Sequence, residues 1–79
     1  MSVFHPDEWV ILSSANKHGI VDVDLIHAID NHLQVWGQDD GLTVLIGPTR
    51  AGALLEVGLI EWYGLTAIAH AMPARSKYL

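Results

Sequence analysis

Three glycine-containing turn signals in the second half of the chain constrain the fold more than any other feature. They are Gly37–Gly41, Thr49–Gly52 and Glu61–Gly64, and they separate apolar, β-rich runs at Leu33–Trp36, Leu42–Ile46, Leu54–Ile60 and Leu65–His70. Strands joined by such short loops pair antiparallel, because a parallel pair needs a long crossover connection. The sequence therefore predicts a four-stranded antiparallel meander.

The first half of the chain contains residues that typically begin and end helices. Pro6 suits the first turn of a helix and Gly19 suits the position just after its end, which predicts a helix over Pro6–His18. Asp22 is a good N-cap for a second helix, whose apolar residues recur at helical spacing from Leu25 onward. The expected fold class is α+β, with two N-terminal helices packed on a four-stranded antiparallel sheet in a single domain over residues 1–79.

The composition is that of one small folded domain. Of the 79 residues 51% are apolar, which is enough for a core and leaves apolar surface for a partner or a second copy. The chain has no cysteine, so disulfides and thiolate metal sites are excluded and a reducing cytoplasm is the expected compartment. The N-terminus lacks the features of a signal peptide, and no apolar run approaches the length of a membrane span. We therefore expect a cytoplasmic protein that does not associate with membranes.

The charge is unevenly distributed along the chain. The formal net charge of −5 argues against nucleic-acid binding over the whole surface. Residues 48–79, however, hold three of the four basic residues and only two of the nine acids, so an anion is best accepted there. The predicted second helix carries Asp22, Asp24 and Asp30, whose charges would repel DNA phosphates and argue against a helix-turn-helix.

The end of the chain concentrates groups that can hold an anion and move a proton. His70, Arg75, Lys77 and Tyr78 all lie within the last ten residues. Imidazole exchanges protons near neutral pH, and guanidinium and ammonium groups bind phosphate. The competing interpretation is that a backbone carbonyl satisfies His70 while Arg75 and Lys77 are only solvated. Each residue alone fits that interpretation, whereas the cluster as a whole favours a site.

Several short motifs resemble those of one protein family. Lys17–Ile20 at the end of a helix, followed by an acid-rich second helix, resembles the opening motif of BrnT-type toxins. Thr43–Gly47, with Gly52 and Leu54–Val57 after it, is similar to that family's glycine-punctuated hairpin. Ile68–Ala71 lies where the family has its last strand. Together these motifs cover most of the chain.

The resemblance implies a function as well as a fold. BrnT-type proteins belong to the RelE-like ribonuclease toxins of type II toxin–antitoxin systems, in which helices pack on a small antiparallel sheet. The resemblance therefore implies RNA cleavage that needs neither a metal nor a cofactor. It also implies RNA as the substrate and a cognate antitoxin protein as the partner. Three features depart from the family pattern. Met72 stands where an arginine is usual, with Arg75 the nearest; we expect none of the family's basic C-terminal helix; and the chain is acidic, whereas the family is commonly basic.

Metal-free RNA cleavage defines the candidate site residues. It needs a base for the 2′-hydroxyl, an acid for the leaving oxygen and cations for the phosphorane. His70 is the candidate base or acid, Arg75 and Lys77 are the phosphate ligands, and Tyr78 donates a proton or stacks on a base. The expected RNA-binding residues are Arg50, Lys17 and His18, although His18 at a helix end is also explained by the helix dipole.

One other interpretation is open: a catalytically inactive protein-binding module of the same fold, acting on an antitoxin-like partner or as a homo-oligomer, which the acidic charge favours.

A metal site at His27 and His32, near the acids of the second helix, is not expected. These histidines are five residues apart, about 140° around a helix, so they do not converge on one ion and we predict no metal site.

Overall fold

A five-stranded mixed sheet and one helix make up the fold of this protein. The computed structural model describes residues 10–37 and 41–79. The helix is α1 (Asp22–Asp30), and the strands are β1 (Val10–Ile11), β2 (Gln34–Gly37), β3 (Thr43–Pro48), β4 (Leu54–Trp62) and β5 (Leu65–Pro73). Two short 3-10 helices lie at Ser13–Asn16 and Ser76–Tyr78. The strand order is β1-β5-β4-β3-β2, with β1 parallel to β5 and the other neighbours antiparallel.

The prediction of two N-terminal helices on a four-stranded antiparallel sheet was wrong. Val10 and Ile11, which were expected inside the first helix, form a strand opposite Ala67 and Ile68 of β5. Both residues are β-branched and suit an extended strand, and their pairing covers the edge that β5 would otherwise expose. A 3-10 helix at Ser13–Asn16 follows, and residues 6–9 of the predicted helix lie outside the described residues.

The second predicted helix is present, but its start differs by one position. Val21 is the N-cap and Asp22 is the first helical residue, with no side-chain capping bond. Asp22 and Asp24 lie in the first turn, where negative charge interacts favourably with the helix dipole. The helix packs across β3 and β4, and its buried residues Leu25 and Ile29 enter the main hydrophobic core.

The two faces of the sheet have different roles. One face lies under α1 and contributes Leu45, Leu55, Val57 and Ile68 to the main core. Side chains alternate along a strand, so the residues between these point the other way. We call this opposite side the distal face; it carries Val44, Ile46, Glu56, Gly58 and His70. A bulge between Gly58 and Leu59 shifts the register of β4 against β5.

The chain ends on the distal face. After β5, the amide of Ala74 donates to the carbonyl of Leu54 at 3.0 Å, which turns the tail back over the sheet. The 3-10 helix at Ser76–Tyr78 then places the buried ring of Tyr78 against Val44 and Ile46. In the part of the chain that the structure describes, no helix has the length and apolarity needed to cross a membrane.

Candidate functional site at the distal face

A buried carboxylate holds the tail and a histidine together. Glu56 has no solvent-exposed surface, and it is the acid in the middle of an otherwise apolar stretch of β4. Nε of Arg75 donates to Oε1 at 2.8 Å and Nη2 donates to Oε2 at 2.8 Å, so the guanidinium binds both oxygens. The backbone amide of Arg75 adds a third bond to Oε1 at 2.9 Å. Nε2 of His70 lies 3.2 Å from Oε2.

These hydrogen bonds determine the charge state of Glu56. Burial alone would raise the pKa of its carboxyl group. The hydrogen bonds from the side chain and backbone of Arg75 and from His70 outweigh that effect and hold the pKa at about 2. The same pairing raises the pKa of Arg75. Glu56 is therefore ionised at neutral pH, and its charge is neutralised by Arg75.

Stability should fall with acidification because of this carboxylate. A group whose pKa is lower in the folded state stabilises the fold above its ordinary pKa of 4.5, and that contribution is lost as the pH falls toward about 2. We expect urea midpoints to decrease from pH 5.5 to pH 2.5, and to decrease less in Glu56→Gln, which has no carboxylate to protonate. An equal decrease in both proteins would show that the other carboxylates account for the effect.

His70 is oriented by its surroundings and remains accessible. Its side chain is 32% exposed. Gly58 lies opposite it on β4, where an added Cβ would be 3.0 Å from both Cβ of His70 and Cδ1 of Leu42. The glycine therefore gives the imidazole the room to lie against the sheet and reach Glu56.

A second imidazole approaches the first. The ring of His18 stands nearly perpendicular to the ring of His70, with centroids 6.3 Å apart. His18 follows the 3-10 helix at Ser13–Asn16, which is bound to β5 by a hydrogen bond of 2.6 Å from the hydroxyl of Ser14 to the carbonyl of Ala69. The short segment after β1 thus brings His18 beside a residue that lies far away in sequence.

Tyr78 serves as the anchor of the tail. Its ring is 7% exposed and contacts the ring of Trp36, with centroids 6.1 Å apart. Nζ of Lys77 lies 5.0 Å and Cζ of Arg75 lies 5.8 Å from the ring centroid, within the range of cation–π interactions. A ring that is buried and contacted in this way has no face left for stacking on a base, so its contribution is to hold the two cations on the distal face.

The structure separates Arg50 from this cluster. In the turn between β3 and β4, the backbone amide and Nε of Arg50 donate to Oδ1 of Asp24 at 3.1 and 2.8 Å. The side-chain hydrogen bond, together with the backbone bond, lowers the pKa of Asp24. Asp24 belongs to α1, which lies on the other side of the sheet, so Arg50 does not share an anion site with Arg75. Lys17 is exposed in the turn that leads to His18.

The structure thus brings together five of the seven predicted site residues. His70, Arg75, Lys77, Tyr78 and His18 lie on the distal face, linked through Glu56, the ring of Tyr78 and the contact between the two imidazoles. Arg50 is bound to Asp24 instead, and Lys17 is exposed in the turn before His18. The central residue, Glu56, was missed. Its one sequence signal is a lone acid within the apolar run Leu54–Ile60, a position where an unpaired charge would be costly.

Neither a metal site nor a cleft forms part of the cluster, among the residues that the structure describes. Within residues 10–37 and 41–79, histidine and acidic side chains do not form a group of three or more that could hold a metal ion. A cleft of about 380 Å³ opens beside the hairpin between β4 and β5, where Thr43, Glu61 and Thr66 line it, and it includes none of the cluster residues.

No protein-family model matches the chain, and comparisons with curated proteins and with solved structures find no significant match.

Proposed function

We propose that this protein is a metal-independent RNA endonuclease of the toxin type, neutralised by a cognate antitoxin protein. One observation carries the ribonuclease part of the proposal: an accessible imidazole is hydrogen-bonded to a buried carboxylate that also binds Arg75, and a second imidazole lies 6.3 Å away. The antitoxin partner is proposed from the sequence resemblance to BrnT-type toxins. A base oriented by a third group is the arrangement used for general acid–base chemistry. RNA provides the nucleophile itself, its 2′-hydroxyl, so two proton-transfer groups and local positive charge suffice.

The two histidines divide the proton transfers. His70 takes the proton of the 2′-hydroxyl, because the ionised Glu56 stabilises the imidazolium that forms. The 2′-oxygen attacks phosphorus, and the bond from phosphorus to the 5′-oxygen breaks. His18, in its protonated form, gives a proton to that leaving oxygen. The products are a 2′,3′-cyclic phosphate and a free 5′-hydroxyl.

The cations stabilise the charge on the phosphorane. Arg75 uses Nε and Nη2 on Glu56, which leaves Nη1 as its remaining nitrogen, and its side chain is 48% exposed. Lys77 is exposed and lies over the ring of Tyr78. In the proposed mechanism Lys77 is the main phosphate ligand, and Arg75 positions the tail and offers Nη1 as a hydrogen-bond donor.

Cleavage of unstructured RNA in EDTA tests the proposal. The wild-type protein should cleave without divalent ions, and His70→Ala should slow cleavage by about 100-fold or more, the usual effect of losing a general base. His18→Ala should reduce the rate similarly, because it removes the proton donor for the leaving oxygen. Arg50→Ala is the matched control, because Arg50 is bound to Asp24 away from the cluster, and it should cleave at the wild-type rate.

Three results would contradict the mechanism: no cleavage by the wild-type protein, dependence on a divalent ion, or full activity in His70→Ala. Circular dichroism of each variant separates loss of chemistry from loss of fold.

A second candidate is a catalytically inactive protein-binding module, and the edge of the sheet favours it. Strand β2 is exposed along its length, and Leu33 and Val35 are 69% and 57% exposed. An exposed apolar edge strand can accept a strand from another protein. Expression in cells distinguishes the candidates: a ribonuclease toxin arrests growth and His70→Ala relieves the arrest, whereas a binding module does not arrest growth.

A further inference from the structure

The hairpin between β4 and β5 exposes two aromatic rings at a position where its own turn is strained. Tyr63 and Gly64 form the turn, and both have positive φ, 50° and 79°. Hairpin turns with two positive φ angles favour Asn-Gly, because a bulky side chain is strained in the left-handed region. A tyrosine at this position makes the turn less stable than asparagine would.

The side chain of Tyr63 makes few contacts that would offset this strain. The side chain of Tyr63 is 88% exposed, and its ring meets the ring of Trp62 edge to face, with centroids 4.7 Å apart. Trp62 is itself 39% exposed, and Leu65, its partner across the hairpin, is 53% exposed. A costly backbone geometry that presents an exposed aromatic pair is typical of a binding feature.

Trp62 lies on the same side of the sheet as the cluster around Glu56 and His70. A Cβ on Gly58 would touch Cβ of His70, so both positions face the same way. Trp62 is four residues further along β4 and therefore also points to the distal face, about 13 Å away at about 3.3 Å per residue. Glu61 alternates with Trp62 and points to the opposite face.

We propose that Trp62 and Tyr63 form a base-stacking platform for single-stranded RNA whose scissile phosphate lies at His70. This inference rests on the proposed ribonuclease function and adds the substrate form: an unpaired strand that runs along the distal face from the cluster to the hairpin. The charges of this face suit an anionic ligand such as RNA, because Arg75 neutralises Glu56 and Lys77 adds a positive charge. Aromatic side chains bind unpaired bases by stacking, with little dependence on sequence.

Binding is measured separately from cleavage with a fluorescent eight-nucleotide RNA that carries 2′-O-methyl groups and so lacks the nucleophile. Trp62→Leu, which keeps an apolar side chain without a ring system, should bind at least about tenfold more weakly. Trp62→Phe, which retains a stacking face, should bind within about threefold of wild type. Both variants and the wild type should bind a duplex of the same RNA with equal affinity, since its bases are already stacked on each other.

Tyr63→Asn separates binding from structure. Asparagine suits the turn, so this variant should melt at a higher temperature than wild type while binding the oligonucleotide several-fold more weakly. If Tyr63 had only a structural role, Tyr63→Asn would not gain stability and lose binding at the same time.

The outcomes distinguish the platform from the proposed catalysis. Wild-type affinity in both Trp62→Leu and Tyr63→Asn would overturn the platform, even if the protein cleaves unmodified RNA and this cleavage requires His70. Failure of the wild-type protein to bind the oligonucleotide would overturn it as well. Binding that depends on both rings, without cleavage of unmodified RNA, would support the platform and contradict the catalytic proposal.

Discussion

Arg75→Ala should lower the free energy of unfolding by about 3 kcal/mol, one of the two largest effects expected in this chain. The substitution leaves the carboxylate of Glu56 buried without its bidentate partner, and a buried charge without a partner is costly. It also frees the tail beyond Ala74, so Tyr78 loses part of its support. Urea unfolding at pH 7, followed by far-ultraviolet circular dichroism, measures the change.

Arg50→Ala provides the matched control. Nε of Arg50 lies 2.8 Å from Oδ1 of Asp24, the same distance as from Nε of Arg75 to Oε1 of Glu56. The side chain of Arg50 is 60% exposed, however, and that of Asp24 is 21% exposed. A solvated pair of this kind contributes less than about 1 kcal/mol. If Arg75→Ala and Arg50→Ala destabilise the protein equally, the burial of Glu56 does not have the energetic role assigned to it.

Gly47→Ala should destabilise the protein by about 3 kcal/mol, at the upper end of the range for overpacked cores. Gly47 lies in β3 directly beneath α1, and a Cβ there would overlap the carbonyl oxygen of Ala28. The obstacle is helix backbone, which cannot move aside like a flexible side chain. The whole helix would have to shift away from β3 and β4, opening the main core around Leu25 and Ile29. Thermal and urea unfolding both report this loss.

Gly37→Ala is the comparison for that prediction. Gly37 also lies in a strand, but a Cβ there meets no atom within 4 Å. Its effect should stay within about 0.5 kcal/mol, as for most surface substitutions. An effect of Gly47→Ala as small as that of Gly37→Ala would contradict the close packing of α1 against β3 at Gly47.

The sheet was predictable to the extent that its signals are local. The runs that became β2 to β5 alternate or are rich in β-branched residues, and glycine-containing turns separate them. The pairing of β1 was not predictable in this way. Val10 and Ile11 also fit a helical pattern, and their strand depends on β5, more than fifty residues away in sequence.

The site was only partly predictable for the same reason. Residue chemistry alone selected His70, Arg75 and Lys77, which lie close together in sequence. Glu56 is 19 residues from Arg75 and 14 from His70, so only the register of β4 with β5 reveals that it joins them. The expected role of Tyr78 changed because its burial depends on the sheet face under the tail. Arg50 is absent from the cluster because the turn that carries it bends toward α1.

Glu56 holds the tail on the distal face through Arg75, and a double-mutant cycle of Glu56→Gln and Arg75→Met tests this most directly. The four proteins are unfolded in urea at pH 7, and the coupling energy is the deviation of the double variant from the sum of the single variants. We expect a coupling of about 2 kcal/mol, with the double variant more stable than Arg75→Met alone. Additivity within about 0.5 kcal/mol would contradict it, because the carboxylate and the guanidinium would then not depend on each other.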